Sequence, residues 1–364
     1  MINLFFFQNC LSPHQLPYIK ELKKTDDIEN IWIIVPQLNE SFRTQMGWDT
    51  CSYCKLQNLN IIIDPDKSQI IDLLEQYQGI NTWCLFSGIS SFPMVNLYFK
   101  ISLKYNLHRG IITEPPFIYK HPLWLHAIRF AINDWKYRHY IDKIFLMGDN
   151  YLSYYQFWSK KWDVVPFMYC TEWKNRESPI TTNDKLRILY VGSLIRRKNV
   201  KLLLRAIQSL SKEEQEKLEI GIIGNGKELE NLKFITHSPT YCAQTQFYGV
   251  LPMEKVSQVM EQYDILCLPS LYDGWGAVIN EALTLGLYAL CTDRCGAKYL
   301  IEKSQFLCGK IFHSNNINDL QKALLDCLNN KEQIKNKIKE RINWARNHIH
   351  GEIVAQYFIN HLKL

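Results

Sequence analysis

Short apolar runs alternate with amphipathic stretches along most of this chain, and that rhythm leaves few folds open. Residues 2–7, 31–35, 61–63, 83–86, 110–112 and 144–147 read as strands. Helical patterns lie between most of them, for example 68–76 and 94–104. Strands separated by helix-length segments pair in parallel through crossovers, so the expected product is an α/β sheet. The rhythm breaks near residue 170. Thr171-Glu172-Trp173-Lys174-Asn175-Arg176-Glu177-Ser178-Pro179 is polar and ends in a proline, as a domain boundary would. A second series then begins, with strands expected at 186–191, 218–223, 265–268 and 288–291. A helix is expected over 199–210, with Val200, Leu203, Leu204 and Ile207 on one face. From residue 317 the tail reads as helical, and 352–364 as a separate helix after Gly351. The expected division is 1–172, 183–348 and a last helix at 349–364.

The length of 364 residues suits two domains, and 47% apolar residues suits two cores. No apolar run reaches the span of a bilayer, and residues 2–7 stop too soon for a signal peptide, so they read as a buried first strand. There are 11 cysteines. Cys84, Cys267 and Cys291 sit inside strand-like runs, where a thiol behaves as a small core residue of a reducing compartment. A cytoplasmic protein is the expectation. Cys51 and Cys54 form a lone CxxC, and no second ligand pair stands at zinc spacing. A net charge of +6 is no nucleic-acid signature. It is compatible with anionic small substrates or an anionic membrane surface.

One segment concentrates chemistry. After the expected strand 265–268 come Pro269-Ser270-Leu271-Tyr272-Asp273-Gly274-Trp275-Gly276-Ala277 and a helix carrying Glu281. Two glycines at a helix start let backbone approach a ligand, and free N–H groups there suit an anion such as a pyrophosphate. Two carboxylates eight residues apart could each accept from a pair of sugar hydroxyls. An N-capping Asp and an exposed helix Glu explain the same spacing equally well. A second segment, Tyr190-Val191-Gly192-Ser193-Leu194-Ile195-Arg196-Arg197-Lys198-Asn199, runs from a strand into three consecutive cations at a helix start. Cations there oppose the helix dipole, which favours a role for Lys198 over a merely solvated loop. Gly224-Asn225-Gly226 also follows a strand. Position 229 is Leu, so the third glycine of a dinucleotide fingerprint is absent. Asp64-Pro65-Asp66 has the Asp-x-Asp pattern of metal-dependent glycosyltransferases, but Asp66 precedes a helical stretch and reads as its N-cap.

The segment around Asp273 resembles the donor-site motif of retaining glycosyltransferases of the GT-B fold, in the large family four (glycosyl transferases group one). That motif is Glu-x7-Glu with a glycine-rich loop after the first acid and Glu-Ala at the second. Here it reads Asp273-x7-Glu281 followed by Ala282, with Asp in place of the common Glu. Gly286, a strand, and Cys295-Gly296-Ala297 follow as in the family. The basic loop resembles the family's Gly-Arg-Leu-x-x-x-Lys-Gly, with Lys198 at the lysine and Ser193 where arginine is common. Gly224-x-Gly226 resembles the tight turn opening the next helix, and Phe247-Tyr248-Gly249-Val250 the strand beside the base pocket. The resemblance covers the second domain, and the first loosely.

The resemblance implies two Rossmann-like domains facing across a cleft, with the last helix crossing back to the first. It implies Asp273, Glu281 and Lys198 as catalytic residues. Gly192, Ser193, Arg196, Arg197, Tyr248, Gly274, Trp275, Gly276 and Ala277 would bind the donor. The donor would be a nucleotide sugar, with no cofactor and no metal, and the anomeric configuration would be retained. The acceptor would be a glycan or lipid-linked glycan of a bacterial surface polysaccharide. In the first domain, Ser12 and His14 follow the first strand where donor and acceptor meet in some members. Glu114 stands near where relatives place a cleft histidine. Ser12 with Pro13 is also a good helix start. Residues 119–130 are basic and aromatic. Such a pattern fits a membrane surface, though a helix packing its apolar face inward is the commoner reading. Two other functions stay open on sequence grounds: a nucleotide-dependent oxidoreductase using Gly224 and Gly226, and a non-catalytic nucleotide-sugar-binding protein.

Overall fold

A computed structural model of the chain describes residues 1–38, 59–119, 121–158, 162–177 and 184–363. They form two compact units, one reaching Glu172 and then resuming at His350, the other running from Trp173 to Ile349. The first holds a seven-stranded parallel sheet of order β3-β2-β1-β4-β5-β6-β7. Its strands are β1 (Ile2–Phe7), β2 (Ile28–Val35), β3 (Asn60–Ile63), β4 (Thr82–Phe86), β5 (His108–Thr113), β6 (Lys143–Met147) and β7 (Asp163–Phe167). The second holds a six-stranded parallel sheet of order β10-β9-β8-β11-β12-β13. Its strands are β8 (Leu186–Val191), β9 (Leu218–Ile223), β10 (Gln244–Gly249), β11 (Ile265–Leu268), β12 (Tyr288–Thr292) and β13 (Gly309–Phe312). Both sheets are doubly wound. Strand order reverses between β1 and β4 in one and between β8 and β11 in the other, and such reversals leave a crevice at the strands' C-terminal ends.

The central strands are buried on both faces, which is why they read as unbroken apolar runs. β7 and β13 are missing from the apolar pattern for a physical reason. Each lies at a sheet edge, β7 contains Pro166, and β13 has Lys310 between apolar neighbours. A strand paired on one side tolerates both. Asp66 is the expected N-cap: it accepts from Gln69 N at 2.9 Å while Gln69 Oε1 accepts from Asp66 N at 3.0 Å. Ser12 and Pro13 do not start a helix. The helix is Leu16–Leu22, with a proline in its first turn. Ser12 O instead accepts from Gln15 N and Leu16 N, closing a turn first. The nine described cysteines are all free thiols. Cys51, Cys54 and the Ser178-Pro179 end of the boundary segment lie outside the described residues.

The inward-packing reading of residues 119–130 holds for one face of the helix, where Phe130 packs against the core with its ring 5.7 Å from the buried Trp162. The helix Leu123–Asn133 has no fully buried residue, and Trp124, Ile128 and Ile132 are exposed.

The last helix, Gly351–Leu362, belongs to the first unit. Gly351 is required there, since a Cβ would stand 2.9 Å from Pro17 O. Phe358 is fully buried, its ring 4.6 Å from Phe145, 5.6 Å from Phe167 and 5.7 Å from Tyr18 between centroids. Tyr357 Oη donates to Pro166 O at 2.9 Å, and Lys363 pairs with Asp27 at 2.9 Å. Phe358→Ala is therefore expected to cost about 3–5 kcal/mol of stability, as deletion of a buried ring does. A melting curve following the first unit would show it, and an unchanged midpoint would mean the helix is not held by that ring.

Candidate active site

The two strands that flank the reversal in the second sheet, β8 and β11, each end in one of the loops singled out above. β8 and β11 are neighbours, so their loops emerge side by side. A backbone bond joins them, from Leu271 N to Arg197 O at 2.8 Å. Arg197 Nη1 adds a bond to Tyr272 O at 2.8 Å. Lys198 Nζ then meets Asp273 Oδ2 directly, and Arg197 Nη1 lies 4.0 Å from Asp273 Oδ1. Ser270 Oγ donates to Asp273 Oδ2 at 3.4 Å. The lysine and aspartate side chains are 16% and 12% exposed, so the pair is well shielded from water and stronger than a surface pair.

Asp273 is fixed from behind as well. Asp273 N donates to Arg294 O at 3.1 Å, and Gly296 N donates to Asp273 O at 3.1 Å. Gly276 has φ +94, with Cys295 Sγ 2.8 Å from where its Cβ would be. Only glycine fits that turn. Ala277 leads into the helix Val278–Thr284, which is seven residues long. So short a helix offers little dipole, and the cations of the other loop are the main charge available to an anion.

Glu281 stands in that helix, partly buried. Its carboxyl has no hydrogen-bond or ion-pair partner among the described residues. Loss of hydration raises it to about 7 from the usual carboxyl value, with the Lys174 charge pulling weakly the other way. Lys174 was read only as part of a polar boundary. Its ammonium donates to Ser257 Oγ at 2.9 Å and Met253 O at 3.4 Å, which places a cation near Glu281. Nothing in the sequence marks it. Ser270, beside Asp273, was missed for the same reason.

The remaining candidates separate into two groups. Gly192 has φ +146 and donates to Ile223 O at 3.0 Å. Ser193 O accepts from the buried Tyr190 hydroxyl at 2.9 Å. Gly274 O lies 2.2 Å from where a Cβ on Gly296 would be, which ties the loop to the next one. Trp275 is a core side chain rather than a donor-facing one: it is 1% exposed and its indole donates to Asn280 Oδ1 at 2.7 Å. Tyr248 Oη is engaged with Tyr263 Oη at 3.0 Å. Arg196 is exposed, and it lines a cavity of about 430 Å³ with Asn199, Lys201, Glu228, Leu271 and Asn315. Neither Lys198 nor Asp273 lines that cavity.

Gly224 and Gly226 serve packing. A Cβ on Gly224 would fall 1.9 Å from Gly192 O, and one on Gly226 would fall 2.3 Å from Leu194 O. Leu194 N donates to Asn225 O at 2.9 Å across the same seam. The glycines thus bring this loop against the basic loop, and that face is not open to a pyrophosphate.

In the first unit, His14 N donates to Ser12 Oγ at 3.4 Å, and His14 O accepts from Cys170 N at 3.1 Å. Glu114 is exposed at the end of β5, with β4 between that strand and β1. Among the described residues no group of three or more His, Cys, Asp or Glu side chains could hold a metal ion.

Comparison with known proteins agrees with this geometry. Residues 171–346 match the family model for glycosyl transferases group 1. An uncharacterized glycosyltransferase of Haemophilus influenzae is 34% identical over 149 residues, covering 40% of this chain and 40% of that protein. TuaC of Bacillus subtilis, whose name proposes it as a teichuronic acid biosynthesis glycosyltransferase, is 32% identical over 124 residues, covering 34% of this chain and 29% of that one. The chain therefore spans less than half the length of these curated relatives. Among solved structures, HepE of Anabaena in complex with UDP matches with a TM-score of 0.70 at 12% identity, over 100% of this chain and 99% of that chain. That likeness shows the fold: two parallel α/β domains of the GT-B type.

Proposed function

We propose that the chain is a glycosyltransferase that moves a sugar from a nucleotide-sugar donor. The observation that carries this reading is the meeting of Lys198 and Arg197 with Asp273 at the reversal of the second sheet, with Glu281 in the helix that follows. Cations at that point suit a diphosphate, and an unpartnered carboxyl suits hydroxyl groups of a ribose or a sugar. The match of residues 171–346 to group 1 glycosyl transferases supports the same reading, as does the UDP in HepE.

In the proposed reaction the bond from the anomeric carbon to the diphosphate oxygen breaks and negative charge grows on the leaving phosphate. Lys198 stabilises that charge, held in place by Asp273. No metal and no cofactor is assigned a part. Departure and attack occur on one sugar face: the acceptor oxygen bonds the anomeric carbon while its hydroxyl proton passes to the departing diphosphate, so configuration is retained, and positioning that oxygen supplies much of the rate. The acceptor is a glycan or lipid-linked glycan, and the setting is synthesis of a bacterial surface polysaccharide in the cytoplasm; the teichuronic acid biosynthesis in the name of TuaC supports the polysaccharide setting. Among the described residues no helix is long and apolar enough to cross a membrane.

A thermal-shift screen over UDP-, GDP-, ADP- and CDP-sugars, with NAD and NADP alongside, tests the reading. One donor class at about a hundred times its Kd is expected to add about 2.7 kcal/mol of stability, while the nicotinamide cofactors leave the midpoint unmoved. A response to nicotinamide cofactors alone would overturn it. Donor binding without sugar transfer to any acceptor in a glycan and lipid-linked glycan panel would leave a binding protein.

A further inference from the structure

The helix Leu123–Asn133 buries none of its residues fully, and neither do the helices Trp135–Tyr140 and Leu152–Trp158 that follow it. Trp124, Ile128 and Ile132 recur every fourth position and are 61%, 49% and 72% exposed. That spacing puts them in one stripe along the helix. Trp135 continues the apolar surface into the short helix Trp135–Tyr140, and Tyr140 is exposed at its end. Phe157, at 80% exposure, adds a third element. Its helix, Leu152–Trp158, is joined to this surface by Trp158, whose ring lies 5.1 Å from Phe130 and 5.7 Å from Trp135. Scattered exposed apolar residues need no explanation, but a contiguous aromatic and aliphatic stripe does.

The charges beside the stripe identify what covers it. Arg129 lies on the same helix, and Lys136 and Arg138 on the next one. Arg138 stacks its guanidinium 4.2 Å over the Trp135 ring, and Lys136 Nζ stands 5.0 Å over Tyr137. None of the three has a carboxylate partner among the described ion pairs. The one acid in this stretch, Asp134, accepts from the Ser90 hydroxyl and also feels Arg129 and Lys136, which leaves one negative charge against three positive ones. An apolar stripe with tryptophans, flanked by an excess of cations on long stems, has the make-up of an interfacial helix. The rings enter the headgroup boundary while arginine and lysine reach anionic phosphates. A protein partner would need acids at those positions and apolar knobs between them. A bilayer supplies both everywhere, without register.

We propose that this face of the first unit, formed by Trp124, Ile128, Ile132 and Trp135 with Arg129, Lys136 and Arg138, docks on a membrane containing anionic phospholipid. The proposal stands apart from the sugar-transfer chemistry, which it places at a lipid surface.

Flotation of the full chain with vesicles tests it. Binding to vesicles with about 30% phosphatidylglycerol is expected to exceed binding to pure phosphatidylcholine by about tenfold, and to fall as salt rises. The triple variant W124S/I128S/I132S is expected to lose about tenfold on the anionic vesicles. R129Q/K136Q/R138Q should remove the preference for anionic lipid, and it keeps the test open if the apolar variant folds poorly. The proposal fails if the parent ignores anionic vesicles, or if both variants bind like the parent. It also fails if light scattering shows a parent dimer that W124S/I128S/I132S converts to monomer, for then a second copy covers the face. Donor-induced thermal shifts in both variants should match the parent, which separates failure of docking from failure of the glycosyltransferase reading.

Discussion

Lys198→Ala is expected to lower kcat/KM for the nucleotide sugar by about 10²–10³-fold, roughly 3–4 kcal/mol, the usual loss when one preorganised group facing developing charge is removed. The loss should fall mainly on kcat, because the charge on the leaving phosphate is greatest in the transition state. Asp273→Asn should reproduce part of it. Asp273 accepts from both Lys198 and Ser270 and lies close to Arg197. It therefore acts as a positioning residue for the lysine, and without its charge the ammonium is free to swing. Lys198→Arg keeps the charge and should recover part of the rate. Steady-state kinetics with the donor found by screening would decide it, and Lys198→Ala within about threefold of the parent would move the diphosphate elsewhere.

Glu281 gives the second large effect, and it has two opposed readouts. Glu281→Ala is expected to abolish measurable donor binding, since two hydrogen bonds to a charged group contribute about 1.5–3 kcal/mol each. Donor affinity of the parent should also weaken as pH falls below about 7, where the carboxyl gains its proton. Stability runs the other way. The folded chain keeps the Glu281 proton up to about pH 7 and the unfolded chain loses it near the usual glutamate value. Between those pH values the folded state binds more protons, so its stability falls as pH rises. Glu281→Gln carries no such titration. Its melting temperature should exceed the parent's most above pH 7, and the gap should close toward pH 5. Calorimetry with donor and melting curves over pH 5–8 read the two effects separately. Unchanged affinity in Glu281→Ala would remove Glu281 from the site.

Much of the sheet architecture was legible because central strands of a doubly wound sheet are buried on both faces. Residues 186–191, 218–223 and 265–268 needed nothing beyond an apolar run to be seen. The edges were harder. β7 with Pro166 and β13 with Lys310 owe their places to neighbours far along the chain, which no local pattern reports. At the site, Lys198 and Asp273 were visible as separate motifs. Their direct pairing was not, since it depends on β8 and β11 being neighbours. Trp275 shows the opposite limit. It sits within the motif, yet its indole turns inward to Asn280, and a spacing rule cannot tell a ligand-facing ring from a core ring. Residues 119–130 left a membrane surface and an inward-packed helix both open for the same reason. Amphipathic periodicity says which residues share a face, and leaves open whether protein or lipid covers it.

The seating of Gly351–Leu362 against Pro17, Phe145 and Phe167 has a temporal side. A polypeptide leaves the ribosome from its first residue onward, and domains generally fold as they emerge. Here the unit that emerges first lacks the Phe358 ring until the rest of the chain has been made. The second unit, Trp173 to Ile349, has all its own strands before that point. The order of completion is thus reversed relative to the order of synthesis. Through that interval the rings of Phe6, Tyr18, Phe145 and Phe167 lack the one they later pack against, and their apolar surface stands open to water.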